Sequence, residues 1–134
     1  SVTMMSDMIA GKMPMVPDLA FGVVDVRDVA RLHVAAMTAD GAAGKRFIAA
    51  STEPAEMIDL AKTLKDAGYD KVSIRKAPTI LMKLMGLINS EVKGMVPSLG
   101  KRVSLDNSAT FDVLKWEPTP VEDSVLEMAA ALSK

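Results

Sequence analysis

Residues 21–51 change their hydrophobic period part-way along, and this change predicts three elements. Phe21 to Val26 is apolar and β-branched, which is typical of a buried strand. From Asp28 the period is helical, with residues three and four positions apart sharing one face: Val29, Leu32, His33, Ala36 and Met37. Gly41 and Gly44 end this helix, and residues 45–50 are predicted to form a second strand. Two strands joined by a helix predict a βαβ-like unit with parallel strands.

Helical periodicity also covers much of the remaining chain. Helices are predicted at residues 1–11, 54–68, 78–89 and 106–115, with a last helix starting at residue 120. Residues 90–100 continue as a weak helix interrupted by Gly94 and Pro97. Short strands are predicted at residues 72–75 and 102–105. The first helical pattern begins without a capping residue, which favours a chain cut within this helix.

Two of these helices carry recognisable start signals. Ser51 or Thr52 is expected to cap the helix whose first turn contains Pro54. Thr119, Pro120 and Glu122 supply a cap, a proline at the first helical position and a glutamate that closes a capping box: a start signature for the last helix.

Composition indicates one domain with an unusual core. The chain has 134 residues, of which 49% are hydrophobic, enough for a single buried core. Eleven are methionine and only 4% are aromatic. Methionine is flexible and fills irregular gaps, so it suits either a core or an adaptable apolar pocket. We favour the core, because methionines at helical spacing normally face it.

Charge and cysteine content exclude several classes of function. The net charge is −1 without a basic block, which argues against a nucleic-acid partner. The chain has no cysteine, so it has neither a disulfide framework nor thiolate chemistry, and no signal peptide is visible. The most apolar stretch, residues 80–88, is too short to span a bilayer and contains Lys83. These features predict a cytoplasmic protein that does not enter membranes.

Two motifs carry a resemblance to a known family. The first is V-D-V-R-D-V-A-x-x-H from Val24, followed by a glycine-containing loop and G-K-R-F-I-A-A-S; the second is L-K-W-E-P-T-P from Leu114. In this order and at about this distance they resemble the C-terminal half of an extended short-chain dehydrogenase/reductase. The branch is that of dihydroflavonol reductases and NADP-dependent aldehyde reductases. The chain is also similar to the NAD-dependent epimerase/dehydratase family. Where the family has a glycine before the tryptophan, this chain has Lys115, which makes that turn costlier.

The resemblance implies a fold class and a missing part. The fold expected is α/β: the helix-rich C-terminal portion of a Rossmann-type reductase, with a few short, partly parallel strands. The family's G-x-x-G-x-x-G nucleotide turn is absent. Its Y-x-x-x-K pair is absent too, because the single tyrosine, Tyr69, is followed four places on by Ser73. We call the absent part the cofactor half; it would bind NADP(H) or NAD(H), and residues 1–134 would be one substrate-binding domain or fragment.

The resemblance also implies a function. The intact protein would reduce an aldehyde or ketone to an alcohol, whereas this chain alone would be inactive. The residues expected to wall the substrate pocket are Met13, Met15, Phe21 and Gly22. The family often has a polar residue at Gly22, so a small or apolar carbonyl substrate is favoured over a polyhydroxylated one. No catalytic, cofactor-binding or metal-binding residue is expected in the chain itself, and the expected partners are the cofactor half and a further copy of the chain.

Charged residues lie where the first predicted strand becomes a helix. Asp28 is expected to cap or charge the start of its helix and to compete with Asp25 for Arg27; in the alternative interpretation, Arg27 or Asp25 reaches the substrate or the cofactor half. His33, the only histidine, is expected to pack rather than catalyse.

The alternative functions are a non-catalytic, self-associating assembly module and the same part of a nucleotide-sugar epimerase or dehydratase.

Overall fold

The architecture is mixed α/β and rich in helix, with about half of the residues helical. The computed structural model describes residues 2–133, so residue 1 of the first predicted helix and the last residue of the predicted domain lie outside the described part. The elements in chain order are α1 (Val2–Ile9), β1 (Ala20–Phe21), α2 (Val26–Thr38), β2 (Ala55–Glu56), α3 (Met57–Asp66), α4 (Thr79–Met85), α5 (Ser90–Met95), α6 (Ser108–Leu114) and α7 (Val121–Leu132). A short 3-10 turn, Val96–Ser98, follows α5.

The first core lies between α1, α3 and α7. It consists of eleven buried residues: Met5, Met8, Val16, Met57, Ile58, Leu60, Ala61, Leu64, Val72, Val125 and Ala129. Helical spacing predicts Met57, Leu60, Ala61 and Leu64 as the buried stripe of α3, and all four lie in this core, so the prediction is confirmed. Gly11 and Gly68 have positive φ angles of 74° and 95° just beyond α1 and α3, as expected for residues that end helices.

The second core is smaller and lies where α2 meets α6. Its buried members are Leu32, Ala42, Leu114 and Trp116, and Phe111 packs against them. The ring centroids of Phe111 and Trp116 are 5.2 Å apart, with the rings inclined by 26°. Trp116 is thus a core anchor. Of the face predicted for α2, however, only Leu32 is buried, while His33 and Met37 are exposed.

The predicted βαβ-like unit is wrong. Strand β1 ends at Phe21 and pairs antiparallel with β2, in the register Ala20 with Glu56 and Phe21 with Ala55. Residues 45–50, all within the described part, form no strand. Val23 and Ser51 do meet, since Ser51 N donates to Val23 O at 2.8 Å. Val23 N, however, donates to the Ser51 hydroxyl at 3.1 Å, so a side chain replaces the carbonyl that a regular ladder needs.

The other two predicted strands are also wrong, although their segments do pair locally. Next to residues 72–75, Val16 forms an isolated parallel bridge with Lys76, because Val16 N donates to Arg75 O at 2.7 Å. Within residues 102–105, only Leu105 pairs, through a 3.1 Å hydrogen bond from its N–H to Thr52 O. The pairing is too short for strands, which require several consecutive partners.

Helix boundaries differ from the predictions where side chains are used elsewhere. Helix α3 begins at Met57, three residues late, because residues 55–56 form β2. The side chains expected to cap it contact other segments: the Thr52 hydroxyl donates to Asn107 Oδ1 at 2.9 Å. Helix α4 ends at Met85 rather than at Asn89, whose side chain instead accepts from the first N–H groups of α5.

The turn after α6 has the geometry that glycine favours, and a lysine occupies it. Lys115 has φ 52° and ψ 45°, and it is the one non-glycine residue with positive φ among residues 2–133. Its N–H donates to Phe111 O at 3.1 Å, which closes the helix. A side chain in this region costs about 1 kcal/mol relative to glycine, so the prediction of a costlier turn agrees with the backbone geometry.

Candidate functional site

The start of α2 is built on a buried carboxylate, Asp25. Its Oδ1 accepts from the backbone N–H of Arg27 at 2.8 Å, which caps the helix. The Arg27 guanidinium donates to both carboxylate oxygens, at 2.9 and 2.8 Å, and the Ser124 hydroxyl of α7 donates to Oδ2 at 2.6 Å. The hydrogen bonds from Arg27, and then that from Ser124, hold the pKa of Asp25 well below its usual range. Arg27 also pairs with Glu127 at 2.8 Å.

Asp28, in the first turn of α2, is completely buried and joins the helix to the C-terminal segment. Its Oδ2 accepts from the backbone N–H of Thr119 at 2.7 Å, and its Oδ1 accepts from the Thr119 hydroxyl at 2.9 Å and from Arg31. Burial raises the pKa of Asp28, but the hydrogen bonds from Thr119, Arg31 and Trp116 outweigh burial and lower it overall.

This use of Thr119 removes the predicted capping box. The N-cap of α7 is Pro120, which has no side-chain hydroxyl and makes no side-chain cap hydrogen bond. The spacing of Thr119 and Glu122 fits a capping box whether or not a distant carboxylate binds the threonine. The sequence pattern alone therefore could not show that the Thr119 hydroxyl is used elsewhere. Asp28 lies 91 positions before Thr119 in the sequence, so no local pattern around either residue indicates their contact.

The indole of Trp116 completes the surroundings of Asp28. Its N–H lies close enough to the Asp28 carboxylate to help lower the pKa of that group. Within residues 2–133, however, it makes no hydrogen bond of ordinary geometry, although it is buried. A buried donor normally has a partner, and the acceptor whose pKa this N–H lowers is the Asp28 carboxylate that already receives Thr119. The whole arrangement is a polar clasp between α2 and residues 116–124, and we call it the Asp25–Asp28 clasp.

We expect the clasp to make the fold acid-sensitive. The pKa values of Asp25 and Asp28 are both below the ordinary 3.8 in the folded chain, so near this pH the unfolded chain binds more protons. Their contribution to stability is therefore complete above about pH 5 and is lost as the pH falls through 3.8 toward the folded-state values. Urea unfolding at several pH values measures the effect. The double variant Asp25→Asn/Asp28→Asn should show a flatter decline; an equally steep decline would contradict the prediction.

The two aspartates of the clasp each line a cavity. The larger, about 620 Å³, is an open groove between the start of α2 and α7, with apolar walls and the polar groups of Asp25, Arg27 and Ser124 at its surface. The smaller, about 230 Å³, lies on the other side, between Ser51, Trp116 and residues 118–121. Both are large enough for small organic molecules or waters, and neither contains a set of residues that identifies a ligand.

The four residues predicted to wall a substrate pocket lie outside both cavities. Met13 and Phe21 pack, half-buried, against the first core, and Met15 is half-buried in the same segment. Gly22 is exposed, but a Cβ there would lie 3.0 Å from Leu105 Cδ1 and 3.1 Å from Ala50 Cβ. A side chain at this position would therefore require Leu105 or Ala50 to shift by a few tenths of an ångström. The substrate role of these four residues stays a prediction.

The segment that carries them, residues 12–22, is held in place from two sides. The Ser73 hydroxyl donates to Pro14 O at 2.7 Å. On the other side, Arg102 donates to Asp18 at 2.5 Å and to Glu56 Oε2 at 2.6 Å, and these bonds raise the pKa of Arg102. This proline-containing loop is therefore anchored by specific polar contacts.

Other kinds of site find no support in the part of the chain that the structure describes. His33 is exposed rather than packed as predicted, and its Nδ1 lies 2.7 Å from Val29 O in the preceding turn. No group of three or more potential metal ligands occurs among residues 2–133. None of the helices described there has the length and hydropathy needed to cross a bilayer.

Comparison of the chain with protein-family models, with curated proteins and with solved structures finds no match. The site is therefore defined by its own geometry. Sequence reasoning had identified Asp25, Arg27 and Asp28 as a charged group at the start of a helix, but it missed Ser124. A serine inside an amphipathic helix carries no signal of contact with a residue 99 positions earlier.

Proposed function

We propose that this chain is the substrate-side part of an NAD(P)-dependent reductase that converts an aldehyde or ketone to an alcohol. The observation that carries the proposal is the clasp itself. The two motifs of the family resemblance are far apart in the sequence, yet Asp28 of the first binds Thr119 of the second through two hydrogen bonds of 2.7 and 2.9 Å. Motifs inherited together are expected to serve one structural unit, and direct contact between them supports the resemblance.

The proposed reductase needs its cofactor from outside this chain. A dinucleotide pyrophosphate binds best at a helix N-terminus that is free of negative charge. The three longest helices instead begin with acidic residues: Asp25 and Asp28 at α2, Glu56 and Asp59 at α3, and Glu122 and Asp123 at α7. These residues do not fit a nucleotide phosphate. NADP(H) or NAD(H) and the proton-donating tyrosine would therefore belong to the cofactor half, in a Rossmann-type fold of which this chain forms the C-terminal portion.

In this proposal the chain contributes an apolar wall. Met13, Met15 and Phe21 lie on the anchored segment 12–22, and their side chains would exclude water and orient the carbonyl group. Gly22 offers no hydroxyl or amide to a substrate and stands against Leu105 and Ala50. We therefore propose a small or apolar carbonyl compound as the substrate, in preference to a polyhydroxylated flavonoid.

The proposal is tested by the size and the activity of the protein in its source cell. An antibody raised against this chain should detect a polypeptide of roughly twice this length or more, because a cofactor half is itself a domain of ordinary size. That polypeptide should oxidise NADPH or NADH in the presence of small aldehydes, and the 134-residue chain alone should not.

Two results would contradict the proposal. A product no longer than this chain would leave no room for the cofactor half and would favour an assembly module. A longer product that binds the nucleotide but turns over sugar nucleotides without net NADPH consumption would instead identify an epimerase or dehydratase.

Gly22→Ser serves as a probe of the wall: it should change the KM for aldehydes more than it changes the binding of NADPH.

A further inference from the structure

The outward face of α4 is apolar, which is the reverse of the usual arrangement in a surface helix. Met82 is the buried residue of this helix. At 100° per residue, Leu84 points about 160° away from Met82, and Ile80 lies on the same side as Leu84. Leu87 follows in the turn just after the helix. Their exposed fractions are 76% for Ile80, 59% for Leu84 and 81% for Leu87, and Ile88 in the following turn is 89% exposed. Amphipathic helices normally place polar residues there.

The apolar face is large enough to form an interface. We define the α4 face as six exposed apolar residues of α4 and the turn that follows it: Ile80, Leu81, Leu84, Met85, Leu87 and Ile88. Together they expose on the order of 700 Å², close to the roughly 800 Å² that each partner buries in a protein–protein interface of standard size. An exposed apolar patch of this extent exceeds what a typical monomer carries.

We propose that the α4 face is the contact surface between two copies of this chain, related by a two-fold axis. Residues 79–89 contain one charged side chain, Lys83, and no acidic one, so a partner selected by charge is not indicated. An apolar helical face is complementary to itself, and a two-fold axis buries the same patch on both copies.

The test is the oligomeric state of this chain in solution. Sedimentation equilibrium should give about twice the chain mass of 14.3 kDa. Leu84→Lys should raise the dissociation constant of the dimer by at least about 100-fold, because the two-fold axis places the new charge in the apolar interface twice. Met37→Lys is the matched control: Met37 is 81% exposed on α2, so this variant should remain a dimer. Far-UV circular dichroism checks that both variants keep their helices.

A cross-linking experiment locates the contact independently. The chain has no cysteine, so a single Leu84→Cys or Met37→Cys substitution provides a unique thiol. A short bismaleimide should link Leu84→Cys chains into covalent dimers and leave Met37→Cys chains largely monomeric. A monomeric parent chain, or a dimer that Leu84→Lys leaves intact and that cross-links equally through both positions, would overturn the proposal.

This inference does not depend on the reductase proposal. Self-association is measured on the chain alone, whereas the proposed activity is measured on a longer polypeptide. If a cofactor half covered the α4 face instead, the longer protein would be monomeric and the isolated chain would aggregate without a defined stoichiometry. That result would overturn the proposed two-fold dimer and leave the reductase proposal unaffected.

Discussion

Replacing Asp28 with asparagine is expected to lower the free energy of unfolding by about 3 kcal/mol. Asp28 is 0% exposed, and its two oxygens accept from the Thr119 N–H, the Thr119 hydroxyl and Arg31. An asparagine has only one side-chain oxygen, and its NH₂ group would face a donor. At least one buried donor would then lose its acceptor. Urea unfolding followed by the fluorescence of Trp116, the only tryptophan, measures the change beside the clasp itself.

Two matched variants separate the buried contacts from the exposed one. Arg31→Gln removes the cation, whose side chain is 61% exposed, and should cost about 1 kcal/mol, because water screens the guanidinium although Asp28 itself is buried. Thr119→Val removes one hydroxyl and should cost about 1 kcal/mol. If Asp28→Asn were no more destabilising than Arg31→Gln, the clasp would not hold α2 to the C-terminal segment, and the observation that carries the proposed function would lose its weight.

Replacing Met8 with alanine is expected to destabilise the fold by about 3 kcal/mol. Met8 is 2% exposed and belongs to the first core, where α1 packs against α7. Removing most of its side chain loses the transfer free energy of the buried atoms, and the cavity left behind adds a further destabilisation. Methionine and alanine are both good helix formers, so the change reports on packing rather than on helix propensity. Chemical unfolding of the variant and the parent, under the same conditions, measures the difference.

Met37→Ala is the control for the same chemical change at the surface. Met37 is 81% exposed on α2, and its truncation should alter stability by less than about 0.5 kcal/mol. A small effect at Met8 would mean that α1 is only loosely docked on α3 and α7. The pair also tests the interpretation of the eleven methionines, because it predicts that those in the first core are structural and that Met37 is not.

Most helices could be predicted because their signals are local. The stripe of α3 recurs every three to four residues and its helix ends near Gly68, and both features lie within one segment. Helical spacing likewise predicts an apolar face for each of α1 and α7: Met4, Met5, Met8 and Ile9 in the first, and Val121, Val125, Met128, Ala129 and Leu132 in the second. The residues that are buried, Met5, Met8, Val125 and Ala129, are among them. The prediction for α2 was less accurate, because the second core it faces is small and buries little beyond Leu32.

The strands and the site could not be predicted in the same way. A β-branched run such as residues 21–26 favours a strand, but pairing depends on a partner elsewhere in the chain, and here a serine side chain replaces a carbonyl opposite Val23. The charged group at the start of α2 was visible in the sequence, and its structural role as a cap was the favoured interpretation; Asp25, rather than Asp28, is the cap. The substrate role of Met13, Met15, Phe21 and Gly22 remains a prediction.

Local periodicity and the glycine positions therefore determine the helices of this protein, because an α-helix satisfies its backbone within one segment and needs only one apolar face. The tertiary structure alone decides the antiparallel pairing of β1 with β2, the start of α7 and the contacts of Asp28. Each of these depends on groups that are 34 to 91 positions apart, such as Asp28 and Thr119. No local pattern encodes such a contact: the same threonine can cap its own helix or bind a distant carboxylate, and only the packed chain selects between them.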